Sequence, residues 1–363
     1  MKRVLHIVRS MDMGGIENFI MNIYRQIDRN KIQFDFMVSI ETFGFFDDEI
    51  KLKGGNIYYI PPRNKGIIKH KKALRKFFKE KNNDYVAVHQ HSSSLTSISP
   101  LIYAKKYGIN TRIIHSHSTL LKSSNQLHYL LHTLNKFRIS HYANYMFACS
   151  DLAANWFYKS KKNISIINNG IDTLLFKYDV NVRNKVRDNY YVNDKIVFGH
   201  IGSFIKVKNQ KYVIDVFKSF LEINPNAVLW FVGDGIMRRE IEEYAQNVNI
   251  FDKIVFFGIR GDTNQLVQGM DIFIFPSIFE GLPLTLVEAQ TAGLKIFASE
   301  NISALATLTD NIKFFNIDLK PEIWANEISK VLPYERQDCS KEIVTKGFDT
   351  KNTTQYLEKI YIQ

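Results

Sequence analysis

Val4-Leu5-His6-Ile7-Val8 leads into Met11-Asp12-Met13-Gly14-Gly15, and Ile16, Phe19, Ile20, Ile23 and Ile27 follow at helical spacing. The first run is short and β-like, the second is a glycine-rich turn, and the third is the apolar stripe of a helix. Strand, glycine-rich turn, helix is how a nucleotide-type α/β unit opens. Working outward, further β-like runs fall at 34–40, 85–89, 112–115 and 145–149, with helical segments between them. Such alternation predicts a parallel sheet with helices on both faces. The Asn168-Asn169-Gly170-Ile171-Asp172 turn and the polar stretch up to Lys195 break the pattern. It then restarts with runs at 196–201, 227–232, 254–257, 272–275 and 295–298, helices over 209–222 and 283–292, and a largely helical tail over 341–362.

The expected fold is therefore α/β, with two Rossmann-like domains facing across a cleft into which the strand ends present their loops. The boundaries read as 1–170, 171–340 and a helical tail 341–363 that packs back toward the first domain. A chain of 363 residues with 45% apolar content, 27 Phe and 18 Tyr can bury two cores. Two distant cysteines, Cys149 and Cys339, are too few for a disulfide framework or a zinc cluster and point to a reducing compartment. The first apolar run is too short for a signal peptide. No stretch reaches the roughly 18 apolar residues of a spanning helix. A cytoplasmic protein, soluble or peripheral at the inner face of the membrane, is expected.

Charge is unevenly distributed. Residues 1–170 hold 26 Lys+Arg against 11 Asp+Glu, and residues 171–363 hold 22 against 25. A basic half of this size suits an acidic partner: nucleic acid, an anionic membrane or a phosphorylated substrate. Its core is 63–82. There Lys65, Lys69, Lys72, Lys76 and Lys79 share one helical face, opposite Ile67, Leu74 and Phe78. Such a helix either rests on an anionic membrane or is an ordinary sheet-covering helix with a solvated basic face.

The most informative segment chemically runs from Pro276 to Gln290 and carries Glu280-Gly281-Leu282-Pro283-Leu284 and Val287-Glu288-Ala289. It follows an apolar strand, and Pro283 suits the first turn of a helix. Glu280 then precedes the helix and Glu288 lies one to two turns inside it. The free N–H groups between them attract phosphate, and Gly281 permits close backbone approach. Two isolated glutamates are usually surface residues, so the weight of this pair comes from its position. A second phosphate-type loop lies upstream, where a strand ends at Gly202 and Lys208 begins the next helix, placed to balance a diphosphate.

Glu280 through Glu288 resembles the E-x7-E motif of the retaining glycosyltransferases of family 4, which have the GT-B fold. Gly14-Gly15, Asn169-Gly170-Ile171-Asp172, Gly202…Lys208 and Val232-Gly233-Asp234-Gly235 occur in the family's order. The resemblance covers nearly the whole chain. Its wording, with Ala148-Cys149-Ser150 upstream, is similar to the subgroup that builds capsular and exopolysaccharide repeat units. The resemblance implies a donor site of Gly15, Gly202, Ser203, Lys208, Gly233, Asp234, Glu280, Gly281, Leu282, Leu284 and Glu288. Within it Glu288 holds the ribose, Glu280 the transferred sugar, the 281–284 backbone the sugar and phosphate, and Lys208 the diphosphate; Gly15 lies close to the donor phosphates. The family's histidine aligns with His117, leaving His115 in the strand, so Glu280, Lys208 and His117 are the expected catalytic residues. Two departures stand out. Ser203 occupies the family's usual arginine position, with Lys206 as a possible substitute, and Asn168 replaces a proline.

The implied reaction moves a hexose or N-acetylhexosamine, UDP-linked by subgroup resemblance, to a polyprenyl-diphosphate-linked saccharide with retention of configuration. No Asp-x-Asp pair occurs, so neither a metal nor any other cofactor is expected. A nucleic-acid partner has no stacking platform or groove-reading motif to support it. A nucleotide-sugar epimerase, a phosphorylase or a silent donor-binding subunit would keep the fold and change the chemistry.

Overall fold

The computed structural model describes residues 1–12, 14–118, 126–160 and 162–363, and these form two compact units. Met13, in the first glycine-rich turn, lies outside the described residues. Unit 1 comprises Met1–Gly170 with Thr350–Gln363, and unit 2 comprises Ile171–Asp349.

Unit 1 runs β1 (Lys2–Ile7), α1 (Gly15–Gln26), β2 (Ile32–Val38), α2 (Asp47–Leu52), β3 (Ile57–Tyr59), α3 (Ile67–Lys81), β4 (Tyr85–Ser92), α4 (Ser99–Lys106), β5 (Thr111–Ser116), α5 (Gln126–Tyr142), β6 (Tyr145–Ala148), α6 (Asp151–Phe157) and β7 (Ile164–Ile166). The seven strands are parallel in the order β3-β2-β1-β4-β5-β6-β7. Side chains alternate between the two faces of a strand, so the sheet carries two cores. Phe19, Ile20 and Tyr24 of α1 build one; Leu74 and Phe78 of α3, Leu101 of α4, Ile139 of α5 and Phe157 of α6 build the other.

Unit 2 runs α7 (Thr173–Phe176), α8 (Val180–Asn189), β8 (Ile196–Ile201), α9 (Gln210–Ile223), β9 (Ala227–Val232), α10 (Arg238–Asn247), β10 (Ile254–Phe256), α11 (Thr263–Gly269), β11 (Ile272–Phe275), α12 (Leu284–Thr291), β12 (Lys295–Ser299), β13 (Ile312–Phe315), α13 (Pro321–Ser329) and α14 (Ser340–Thr345). Its six strands are again parallel, in the order β10-β9-β8-β11-β12-β13. Both units thus have the expected doubly wound α/β form. The strands β3, β7 and β13 were not anticipated. Each is an edge strand of three or four residues, too short to carry a periodic signal.

The tail divides. α14 packs on α12 and α7 within unit 2, whereas α15 (Thr350–Ile362) returns to unit 1 and lies on α1, β2 and β4. The basic segment also differs from its wheel. Lys65 sits in a separate 3-10 turn, Arg63–Lys65, cut off by Gly66 at φ +129°. The shared face on α3 is therefore Lys69, Lys72, Lys76 and Lys79. Ile67 is exposed, and burial begins at Leu74 with Phe77 and Phe78.

Candidate functional site

In unit 2 three loops meet at the carboxyl ends of β8, β9 and β11. The first, after β8, turns through Gly202 and Ser203 into a 3-10 turn over Lys206–Lys208, and Asn209 in the left-handed region starts α9. The second holds Gly233 at φ +129°, where an added Cβ would stand 2.2 Å from the Gly202 carbonyl oxygen. Only glycine permits that approach. Phe204 N–H donates to the Asp234 carbonyl at 2.9 Å, and Met237 N–H donates to the Phe204 carbonyl at 3.0 Å, tying the two loops together. Asp234 accepts from the Gly235 N–H and pairs with Arg238 at 3.4 Å.

The third loop carries Glu280. Its Oε1 lies 2.5 Å from Lys208 Nζ and accepts from Ser277 Oγ at 3.0 Å. Lys208 also sits 4.5 Å above the Phe275 ring, a cation–π position. Both groups of the ion pair are mostly shielded from water, so the ammonium is held in place before any ligand arrives. Pro283 stands at the N-cap of α12 with extended backbone, one residue before the first turn where the sequence reading put it. Among the described residues the Leu284 and Thr285 N–H groups have no backbone acceptor, leaving a positive helix end beside Gly281 and Leu282. The Thr285 hydroxyl is buried without a partner. Glu288 stands one turn on, partly buried, and burial alone pushes its carboxyl up to about 7. A shielded carboxylate with no side-chain partner among the described residues, next to a phosphate-ready helix end, is the arrangement expected of a ligand-binding group. Beneath the first loop, His200 is fully buried and bonds the Ile274 carbonyl through Nδ1 at 2.9 Å; burial lowers it to about 4.

The structure thus gathers Gly202, Lys208, Gly233, Asp234, Glu280, Gly281, Leu282, Leu284 and Glu288 around one end of the unit 2 sheet. Ser203 is exposed, and its carbonyl accepts from Gln210 Nε2. Lys206 borders a separate depression with Lys211, Glu240 and Ile278; Lys208, Glu280 and Glu288 do not line it. Sequence reasoning missed Thr285 and His200. A larger cavity of about 600 Å³ lies at the opposite, amino ends of β8 and β11, beside Arg183, Arg187, Asp271 and Arg336. Those arginines are engaged with the 267–270 carbonyls at the end of α11 and, for Arg183 and Arg187, with Asp271. That cavity is structural.

Gly15 and His117 belong to unit 1. Gly15 opens α1, and a Cβ there would meet nothing within 4 Å among the described residues. A Cβ on Gly14 would strike the Glu17 carboxylate, which burial raises above its usual range. His117 follows the end of β5 and His115 lies within it. They are part of a five-histidine ladder that was not anticipated. In the parallel registers His6 faces His89 and His91 faces His115. His6 Nδ1 is 3.0 Å from His91 Nε2, His91 Nδ1 is 2.9 Å from His117 Nε2, and His89 Nδ1 is 2.7 Å from Tyr361 Oη. Burial lowers all five, His6 and His117 to about 3, so the rings are neutral at neutral pH. The period-2 spacing of His89-x-His91 and His115-x-His117 carries the signal, since i and i+2 share a face.

Two trios, His6-His89-His91 and His91-His115-His117, have ligand atoms within 4.8 Å of one another and could hold a metal by that measure. In the first trio His89 and His91 are stacked, at 4.1 Å and 25°, and in the second His115 and His117 are tilted, at 4.0 Å and 34°. His91 already has both ring nitrogens at hydrogen-bond distance of other rings, Nε2 with His6 and Nδ1 with His117. The geometry fits a hydrogen-bonded ladder better than a coordination site.

Comparison with known proteins places both units. Residues 13–174 match the Glycosyltransferase Family 4 model, and residues 182–343 match the model for glycosyl transferases group 1. The chain is 28% identical over 371 residues to the putative glycosyltransferase EpsF of Bacillus subtilis, covering 99% of this chain and 96% of that one. It is 25% identical over 386 residues to the UDP-Gal:alpha-D-GlcNAc-diphosphoundecaprenol alpha-1,3-galactosyltransferase of Escherichia coli, covering 99% and 96%. Among solved structures, Anabaena HepE in complex with UDP superposes with a TM-score of 0.78 at 18% identity, covering 99% of each chain.

Proposed function

This chain belongs to family 4 of the glycosyltransferases and has the GT-B fold, and from that premise we propose that it moves a hexose or N-acetylhexosamine from a UDP-sugar to a polyprenyl-diphosphate-linked saccharide in surface polysaccharide synthesis. The observation that carries the reading is the group at the start of α12: the 2.5 Å Lys208–Glu280 pair, the open helix end, and Glu288 with its carboxyl raised by burial. A nucleoside diphosphate sugar offers hydroxyl donors to Glu288, phosphate oxygens to the free N–H groups, and further hydroxyls and phosphate oxygens to the already paired Glu280 and Lys208. The E. coli relative, whose name states a UDP-sugar donor and a diphosphoundecaprenol-linked acceptor, supports the substrate classes.

In this reading the bond from the anomeric carbon to the diphosphate oxygen breaks while the acceptor hydroxyl attacks the same face, which retains configuration. The acceptor proton passes to the departing diphosphate. Lys208 and the helix end stabilise the charge that develops on the diphosphate, so no metal is required. Glu280 orients the sugar. The α3 lysines Lys69, Lys72, Lys76 and Lys79 hold the protein at the anionic cytoplasmic face of the membrane. A panel of nucleotide sugars in a thermal-shift assay tests the donor, since a ligand that binds the folded state raises its midpoint. UDP-sugars should raise it; no response to any nucleoside diphosphate sugar removes the reading. Active donors are then offered lipid-linked acceptors. A glycosyl group trapped covalently on a carboxylate of the chain overturns the front-face step.

A further inference from the structure

Helix α5 is turned inside out. Leu127, Leu130, Leu134 and Phe137 recur at spacings of three, four and three, which places them on one face, and they are 57%, 54%, 50% and 60% exposed. The opposite face buries His132 and Asn135 beside Ile139. This rotation is fixed by specific bonds. The Leu95 N–H donates to His132 Nδ1 at 2.9 Å, and Asn135 Nδ2 donates to the Leu95 carbonyl at 2.7 Å. His132 also stacks on Trp156 at 4.4 Å and 13°. Turning the apolar stripe inward would strand both polar groups without partners. The outward apolar stripe is therefore built into the fold, and contiguous exposed apolar surface marks an interaction site.

What covers the stripe follows from its surroundings. α3, α4, α5 and α6 share one face of the unit 1 sheet, with α4 in contact with both α3 and α5. Residues 51–170, which contain all four helices, hold 20 Lys+Arg against three Asp+Glu. The α3 lysines and Lys105 and Lys106 of α4 are exposed on this layer. At the stripe itself Lys159 Nζ lies 4.4 Å from the centre of the Phe137 ring, and Arg138 lies over Tyr142. An apolar ridge in a cationic field repels a second copy of itself and matches a surface that is anionic outside and apolar beneath.

We propose that the Leu127-Leu130-Leu134-Phe137 stripe of α5 inserts into an anionic bilayer, with the basic α3–α4 surface holding the headgroups beside it. The inference rests on the membrane part of the proposed function and extends it. The lysines attract, and α5 supplies the apolar contact that salt cannot screen.

The test is sedimentation of the full chain with vesicles of phosphatidylcholine alone or mixed with phosphatidylglycerol. Two variants are compared with the unaltered protein: Leu130→Ser/Leu134→Ser/Phe137→Ser, and Lys69→Gln/Lys72→Gln/Lys76→Gln/Lys79→Gln. The serine changes lie on exposed positions, so their thermal midpoint and UDP response should match the unaltered protein. The unaltered protein should bind mixed vesicles and retain a salt-resistant fraction. The serine variant should need at least tenfold more lipid for half binding and release fully in high salt. Tryptophan at position 134 (Leu134→Trp) should be quenched by brominated lipid. Equal binding by the serine variant overturns the inference, as does a dimer of the unaltered protein that the serine variant dissociates without loss of vesicle binding. If binding fails only in the lysine variant, this inference falls and the membrane reading stands. If the unaltered protein binds no vesicles, both fall, and the UDP thermal shift still tests donor chemistry separately.

Discussion

Glu288 and Glu280 lie eight residues apart and do different physical work. Glu288 is a carboxyl raised to about 7 by burial, against an ordinary value of 4.5. Between those values the folded state binds more protons than the unfolded one, so this residue's contribution to stability falls as pH rises through that window. Glu288→Gln should therefore remove a penalty on the order of 2 kcal/mol at pH 8, visible as a higher apo melting temperature. The same change should weaken the thermal shift with UDP, because the ribose keeps only one neutral amide oxygen in place of a two-oxygen charged acceptor. Glu280→Gln should act differently. It frees the Lys208 ammonium from its 2.5 Å partner, so UDP affinity should hold or rise while kcat falls by about 10²–10³-fold. Equal UDP binding by both variants would reject this division of roles. The spacing of the two glutamates was legible in the sequence because it reflects a strand, a proline and one helical turn. Thr285 was not, because a hydroxyl in a helix carries no mark of being buried without a partner until its neighbours are known.

At the scale of elements, the β8 and β9 loops are held together where Gly233 meets the Gly202 carbonyl. Gly233→Ala should cost about 2–4 kcal/mol, since it combines a positive φ with a backbone clash. It should also weaken UDP binding by displacing Lys208; chemical denaturation and the same thermal-shift assay read the two effects. In unit 1 the histidine ladder makes a prediction of opposite sign to Glu288. Each ring has a folded pKa below its unfolded value near 6.5. Below that pH the unfolded state binds more protons, so stability is complete above about 6.5 and is lost as pH falls, by about 1.4 kcal/mol per ring per pH unit. His115, whose two ring nitrogens have no hydrogen-bond partner among the described residues, is the ring to change. His115→Leu should flatten the loss of stability between pH 7 and pH 5 in urea melts, and an unchanged slope would exclude the ladder as its source. The elements themselves were mostly readable, because long buried strands and amphipathic helices carry strong periods. β3, β7 and β13 were not, and neither was α5. Its exposed stripe looks in sequence like an inward face, and only the Leu95 bonds to His132 and Asn135 reveal which way it points.

At the scale of the whole molecule, the chain builds unit 1 from two distant pieces. Its last helix, α15, buries Leu357, Ile360 and Tyr361 against α1, β2 and β4. Tyr361 Oη meets His89 Nδ1 at 2.7 Å, and the ring packs edge-on to Phe34 at 5.8 Å. The sequence shows a helical tail, but not that it divides at Thr350, because both parts are amphipathic and only their partners tell them apart. Three large apolar side chains at about 1.5–3 kcal/mol each put the helix at roughly 4.5–9 kcal/mol, which is comparable with the whole stability of a domain. Ending the chain after Asp349 should therefore abolish the folding of unit 1. It should spare unit 2, because Asp349 and its hydrogen bond to Thr173 Oγ1 stay in place and α14 remains on α12. Differential scanning calorimetry of the truncated chain should lose one cooperative transition and keep the other. If Lys208, Glu280 and Glu288 form a donor site within unit 2, the surviving transition should still move upward with UDP. Loss of both transitions would mean that unit 2 depends on unit 1 to fold. A surviving transition that ignores UDP would reject the placement of the donor site at Lys208, Glu280 and Glu288.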